Sequence, residues 1–221
     1  MISPTFHCDS CSAALSFRYE SATWIVCPNC GSFVERNASR PSEHGKLPPE
    51  DLTLIQIGTR GKWNETPFEV TGRMRFEFED DSYVNWWHLE SGQTSFAWLA
   101  ESYATFRLMK LSMLDFRIEE LKKLSPGDKI RLKKEEIFVL GAFGTTLKCW
   151  AEGELPMAPK NKKLMWLDFS SEKDKSIDIH IFNAKEHSFF SETPLAFFTG
   201  EDVSLKQMNL TNRRKTDGWI G

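Results

Sequence analysis

Two Cys-x-x-Cys pairs near the N-terminus constrain this chain more than any other feature. Cys8 and Cys11 form the first pair, and Cys27 and Cys30 form the second after an interval of fifteen residues. Each pair makes a tight turn that directs two thiolates to one point, and two such turns supply the four ligands of a tetrahedral Zn²⁺ site. A redox dithiol or a disulfide pair is the alternative. The spacing predicts that these four cysteines bind Zn²⁺.

The residues between and after the pairs predict a small β unit around the metal. Residues 16–19 and 23–26 have the composition of two short strands, and Gly31 suits a turn that needs a positive φ. This combination describes a zinc ribbon at residues 1–36. Four sulfur ligands leave no open coordination position, so the pattern favours a structural over a catalytic metal. We expect His7 to be an exposed neighbour rather than a ligand.

Composition predicts a folded protein with a medium-sized domain beside the ribbon. The chain has 221 residues, of which 40% are hydrophobic and 27% are charged. Residues 37–50 are polar and rich in proline, which indicates a linker. No apolar run approaches the roughly 20 residues of a membrane span. Because four of the five cysteines lie in the metal pattern and no secretory signal is recognisable, we expect a cytoplasmic protein.

The remainder of the chain has the alternation of β-strands. Residues 73–79 place Met74, Phe76 and Phe78 on one face and charged residues on the other. The strands that follow form a meander, and the second half repeats the order of the first. We predict a mainly β protein, in which the ribbon precedes a duplicated antiparallel β domain at residues 51–205. Its two related lobes span about 51–112 and 125–205, and residues 206–221 form a loosely docked or disordered tail.

Trp86, Trp87 and His88 are the candidates for an interaction surface. Neighbouring residues of a strand point to opposite faces, so Trp86 and Trp87 cannot both face the same core. One of them packs between the lobes or contributes to a surface for a ligand or partner.

Several short motifs resemble those of DUF4178, a bacterial family of domains of unknown function. Residues 68–73, 86–89 and 96–99 resemble the first half of that family, including its "V-x-G" strand and its tryptophan-centred strand. Residues 125–128, 151–156 and 198–201 resemble its "pGd", "GELP" and "Y-x-G-x" motifs, although Phe198 replaces the usual tyrosine. The resemblance implies an accessory role in a membrane-stress or polyamine-linked system and implies no catalytic residues. Such a role is compatible with peripheral association with a membrane.

No residue pattern favours catalysis or nucleic-acid binding. The histidines are dispersed, and Cys149 lies in a strand pattern that predicts a buried, inert thiol. A net charge of −3 gives no general attraction to polyanions, so the basic segments at 122–123, 129–134, 160–163 and 213–215 are expected to be solvated loops.

The sequence therefore predicts a non-enzymatic, cytoplasmic, zinc-binding accessory protein that acts as a protein-interaction or scaffold module. It names neither the protein partner nor the oligomeric state. Two alternatives remain open. One is a nucleic-acid-binding protein, and the other is a small-ligand binder or enzyme with a pocket between the lobes near Trp86, His88 and Glu154.

Overall fold

The alternating sequence folds into long antiparallel strands in the computed structural model. The structure describes residues 5–37, 46–92, 97–112, 117–132, 136–157, 164–173, 175–182 and 195–215. Its strands are, in chain order, β1 (Phe6–His7), β2 (Ala14–Leu15), β3 (Trp24–Val26), β4 (Phe33–Glu35), β5 (Arg60–Trp63), β6 (Thr66–Phe78), β7 (Tyr83–Glu90), β8 (Ala97–Ser102), β9 (Thr105–Ser112), β10 (Lys129–Leu132), β11 (Glu136–Leu155), β12 (Leu164–Ser170), β13 (Lys175–Phe182) and β14 (Leu195–Asp202). The prediction of a mainly β protein is confirmed.

Eight of these strands close into one antiparallel barrel. Strands β6 to β9 form one four-stranded meander, and β11 to β14 form a second meander of the same topology. The meanders join at two seams, where β6 pairs with β11 and β9 pairs with β14. The two predicted lobes thus correspond to two halves of a single barrel.

Side chains of the barrel strands alternate between its interior and its outer face. The interior is unusually aromatic and contains Met74, Phe76, Val84, Trp86, Trp98, Ala100, Met109, Cys149, Ala151, Trp166, Ala196 and Phe198. Of the two adjacent tryptophans, Trp86 faces this interior, whereas Trp87 faces outward.

The outward face of β6 to β9 is covered rather than exposed. Residues Ile55, Val203 and Met208 pack against Trp87 and its apolar neighbours. Consequently Trp86, Trp87 and His88 are each no more than 1% exposed. The prediction that they form an interaction surface is wrong, because chain segments before and after the barrel cover the face that the strand pattern left open.

A second apolar cluster covers the outward face of the other meander. The short helix α1 (Ile118–Leu121) contributes Leu121, and β10 contributes Ile130. They pack with Ile177 and Ile179 of β13, which therefore point away from the barrel interior. Neither α1 nor the 3₁₀ turn at Leu205–Met208, the helices of the described ranges, is long enough to cross a membrane.

The C-terminal segment docks against the barrel. A capping box at Ser204 begins the 3₁₀ turn, and Thr211 pairs with Arg60. Arg214 donates to the carbonyl oxygen of Asp51. Residues 206–215 of the predicted tail are therefore docked rather than disordered, while 216–221 and most of the predicted linker (38–45) lie outside the described residues.

Candidate metal centre and barrel cavity

The two cysteine pairs lie in two turns of the same construction. In the first turn Cys8 N donates to Ala13 O at 2.9 Å, and in the second Cys27 N donates to Ser32 O at 2.9 Å. The residue after each pair has a positive φ, 60° at Ser12 and 75° at Gly31. The turn predicted at Gly31 is confirmed, and its counterpart uses a serine.

These turns bring the four sulfur atoms together. All four lie within 4.8 Å of one another, with Cys8 and Cys30 separated by 3.7 Å and Cys11 and Cys27 by 3.6 Å. A tetrahedral ion with sulfur ligands at about 2.3 Å separates those ligands by about 3.8 Å. All four cysteines are free thiols. The cluster can therefore hold a metal ion, and His7 is not part of it.

The cysteines differ in how readily they ionise. A hydrogen bond from the Asn29 side chain and one from the Ala13 backbone lower the pKa of Cys11 to about 6. The Ser32 hydroxyl lowers the pKa of Cys30, whereas burial raises the pKa of Cys27 to about 12. The partly exposed side of the cluster thus favours thiolates, while the buried Cys27 thiolate needs a nearby cation.

The ribbon is fastened to the end of β11. Strand β3 pairs with β11 at Ile25–Glu154 and Trp24–Leu155. The buried Glu154 carboxylate accepts hydrogen bonds from Arg18 N at 3.0 Å, Tyr19 N at 3.1 Å and Arg18 Nε at 3.2 Å. Val26 and Phe33 of the ribbon join the interior cluster of the barrel, so the ribbon closes this end.

Two motifs of the predicted family resemblance meet at the same end. Gly72 pairs with Gly153 where β6 crosses β11. A Cβ atom on Gly153 would lie 2.3 Å from Thr71 O, and Gly153 has a φ of 78°. The Thr71 hydroxyl donates to Glu154 O at 3.1 Å and lies 2.7 Å from His88 Nδ1. The glycines therefore allow the close contact that positions Glu154 against the ribbon.

This arrangement corrects the predicted pocket near Trp86, His88 and Glu154. The Glu154 carboxylate faces the ribbon backbone, and Trp86 lies within the aromatic interior. The cavity instead opens at the opposite end of the barrel, where β6 ends at Phe78 and β7 begins near Val84.

The cavity has a volume of about 660 Å³ and a mixed lining. This size lies within the range of small-molecule sites. Aromatic and aliphatic side chains form one part of its wall, namely Phe78, Val84, Ala100, Phe143 and Trp166. Charged side chains form the other part, namely Glu79, Asp80, Arg107, Asp168 and Asp178.

Arg107 and Asp178 dominate the electrostatics of the inner wall. Arg107 pairs with Asp168 at 2.5 Å and with Asp202 at 2.9 Å, and it lies 4.0 Å from Asp178. Asp178 is only 2% exposed, and within the described ranges its Oδ1 atom has no hydrogen-bond partner. Burial, reinforced by the charge of Asp168, raises the pKa of Asp178 well above its ordinary value.

An aromatic cluster lies next to the charged wall. The His180 ring is 4.3 Å from Trp166 and 4.9 Å from both Trp86 and Phe198, measured between ring centroids. Burial lowers the pKa of His180 to about 3, and that of His88 likewise to about 3. Both imidazoles are therefore neutral at physiological pH. Cys149 is buried in the same interior, and burial raises its pKa to about 12.

The sequence interpretation missed the groups of the cavity. Asp178 lies on the polar side of β13, and this side faces the barrel interior. The available signal was the strict alternation of Ser176, Asp178 and His180 with Ile177 and Ile179, which defines two faces without saying which is internal.

A comparison with family models matches residues 56–194 to the domain of unknown function DUF4178. The match covers more than half of the chain and includes β6 to β13. Neither the curated proteins nor the solved structures yield a match. With its cysteine cluster preceding this barrel, the chain belongs to the DUF4178 family.

Proposed function

We propose that this chain is a non-enzymatic accessory module, in which a structural zinc ion stabilises the ribbon and the open end of the barrel binds a small ligand. The observation that carries this proposal is the asymmetry of the barrel. The ribbon closes one end, and a cavity of about 660 Å³ opens at the other. Eight-stranded barrels of this kind are wide enough to hold one small molecule.

The donor set supports zinc as the metal. Four soft thiolates in a tetrahedral cluster suit Zn²⁺, and no ligand position remains for a substrate. We expect about one zinc ion per chain in the wild type, as a four-cysteine site predicts, and loss of that zinc in Cys27→Ser/Cys30→Ser. Cys149→Ala, which removes a thiol outside the cluster, should retain the metal. Equal zinc content in all three proteins would contradict the assignment.

The chemistry of the interior supports binding over catalysis. The buried imidazoles of His88 and His180 have strongly lowered pKa values, and the Cys149 thiol stays protonated. In the part of the chain that the structure describes, these groups are poor general bases or nucleophiles at neutral pH. The acidic mouth likewise argues against a nucleic-acid ligand.

Ligand binding is tested by narrowing the mouth of the cavity. Ala142 is exposed and lines the opening, so Ala142→Trp obstructs entry without disturbing the interior. Small molecules retained during purification are released by denaturation and identified by mass spectrometry. We expect a molecule that is present in the wild type and in the control Ala14→Trp, a change on the exposed face of β2, but absent from Ala142→Trp. Identical small-molecule content in all three proteins would refute ligand binding at this opening.

A protein partner at the same mouth is the second candidate. Phe143 lines the cavity and is 53% exposed, and Tyr103 is 79% exposed in the turn between Ser102 and Thr105, which both line the cavity. Exposed aromatic side chains are typical anchors of protein interfaces. Tyr103→Asn, which suits the φ of 46° at this turn, combined with Phe143→Ser should abolish capture of a specific partner. Unchanged capture would exclude the rim as the docking surface.

The cellular setting of the module rests on the family resemblance alone. On that basis we propose a cytoplasmic protein in a membrane-stress or polyamine-linked system.

A further inference from the structure

We propose that the barrel cavity binds a small organic cation, an ammonium group carried on a short apolar chain. This inference rests on the proposed ligand-binding function and adds the chemical class of the ligand. Three features of the cavity support it, namely its charge, its buried carboxyl group and its aromatic wall.

The charge of the cavity favours a cation. Four carboxyl side chains line it, from Glu79, Asp80, Asp168 and Asp178, against the single guanidinium of Arg107. That guanidinium is already engaged by Asp168 and by Asp202. The neighbouring His180 is kept neutral by burial and adds no positive charge. The opening therefore attracts positive ligands and repels carboxylates and phosphates.

Asp178 provides a specific polar contact inside the cavity. Its side chain lines the wall, it is 2% exposed, and its Oδ1 atom has no hydrogen-bond partner among the described residues. A buried carboxyl oxygen without a donor is unfavourable, and a ligand that donates an N–H group removes that cost. An ammonium group supplies the donor, and its positive charge favours the ionised form of this carboxyl group, whose pKa burial raises.

The rest of the lining accommodates an apolar chain and stabilises a cation on aromatic rings. Phe78, Phe143 and Trp166 contribute rings to the wall, and Val84 and Ala100 contribute aliphatic surface. A cation next to an aromatic face gains electrostatic stabilisation, most strongly next to tryptophan. A ligand with a charged head and a short alkyl tail therefore fits both parts of the wall.

A metal ion does not fit the same groups. Within the described ranges, the four cysteines alone bring three or more potential ligand atoms together, and the carboxylates of the cavity do not. The cavity volume is also far larger than a bare ion requires.

The test compares three probes with the same tail, hexylammonium, hexan-1-ol and hexanoate, by isothermal titration calorimetry near neutral pH. We expect hexylammonium to bind at least about tenfold more tightly than hexan-1-ol, and hexanoate to bind least. Asp178→Asn, which preserves shape, should weaken hexylammonium by at least about tenfold. Asp81→Asn is the matched control, because Asp81 is exposed in the adjacent turn outside the cavity and asparagine tolerates its φ of 62°.

A measurement on the unaltered protein covers the case in which Asp178→Asn does not fold. Raising the salt concentration should weaken hexylammonium binding but leave hexan-1-ol binding unchanged. Hexan-1-ol or hexanoate binding as tightly as hexylammonium would overturn the cation inference while leaving ligand binding intact. An unaltered affinity of folded Asp178→Asn for hexylammonium would also overturn the cation inference while leaving ligand binding intact. Failure of all three probes, together with identical small-molecule content in the wild type and Ala142→Trp, would refute both proposals.

Discussion

Glu154 accepts three hydrogen bonds from the ribbon, and its replacement gives a quantitative test of ribbon docking. Its carboxylate is 3% exposed and accepts two backbone N–H groups, from Arg18 and Tyr19, on one oxygen. The other oxygen accepts from Arg18 Nε, whose side chain is 57% exposed. The two backbone contacts are therefore protected from solvent, whereas the ion pair is screened.

These contacts predict a graded series of variants. Hydrogen bonds to a charged group contribute about 1.5–3 kcal/mol each, so loss of the two backbone contacts in Glu154→Ala should lower the stability of the docked ribbon by about 3–6 kcal/mol. Glu154→Gln keeps one acceptor oxygen but replaces the other oxygen with an NH₂ group, which cannot accept a hydrogen bond. The stability of the docked ribbon should therefore fall by about 1–2 kcal/mol. Arg18→Ala removes only the exposed pair and should cost about 0–1 kcal/mol.

Native-state hydrogen exchange at the amide of Thr23, which donates to Leu155 O at 3.0 Å across the ribbon–β11 contact, measures this quantity, because undocking of the ribbon is a local opening that global unfolding of the barrel does not report. Metal content is also measured in each variant, to show that the substitution leaves the cysteine cluster unchanged. A loss below about 1 kcal/mol in Glu154→Ala would refute the reasoning, given the hydrogen-bond energies above. An equal loss in Arg18→Ala and Glu154→Ala would refute it as well.

Two further predictions concern the barrel itself. Gly153→Ala places a Cβ atom 2.3 Å from Thr71 O at a φ of 78°, so urea unfolding should show a loss of at least about 2 kcal/mol. Gly127→Ala, at a φ of 92° but with open space around the new Cβ, is the control and should lower the stability less. An equal loss would show that the strained backbone conformation, and not the contact with Thr71, causes the loss in Gly153→Ala. His180 has a folded pKa of about 3, below its unfolded value, so the unfolded state binds more protons and stability falls as pH drops from about 6.5 toward 3. His180→Phe should reduce this slope by up to about 1.4 kcal/mol per pH unit in urea unfolding at several pH values. Because the raised pKa of Asp178 acts in the opposite direction, the difference between variant and wild type isolates the histidine, and identical slopes would contradict a buried neutral imidazole.

The cysteine cluster and the strand pattern were predictable from the sequence because each depends on local spacing. The four cysteines need only two tight turns, and the alternation of Met74 and Phe76 with Arg73 and Arg75 determines two faces of β6. Both features follow from geometry within a few residues.

The placement of the polar faces was not predictable, because it depends on contacts between distant segments. In β13 the isoleucines pack outward under α1, and Asp178 and His180 face the barrel interior. In β7 the outward Trp87 is covered by residues from the segments before and after the barrel strands. A period of two assigns residues to the two faces of a strand. Which face is exposed to solvent depends on closure of the barrel and on the segments that cover it.

The buried charge network under these segments was missed for the same reason. Asp51 lies in a segment without regular structure, yet its carboxylate is 3% exposed and accepts from Arg73, Arg75 and Asn85. An aspartate close to a proline-rich linker gives no local signal of burial.

The length of chain between contacting segments has a consequence for synthesis on the ribosome. Arg18 and Glu154 are separated by 136 residues, so the ribbon leaves the ribosome well before the strand to which it docks. At about 5–20 residues per second, this interval lasts about 7–27 s. During that time the four cysteines of the ribbon can hold a metal ion, but β6 and β9 have no partners for the edges that later form the two seams. The nascent first meander therefore exposes two unpaired strand edges. The chain is most prone to pair wrongly with another chain at this stage of its synthesis.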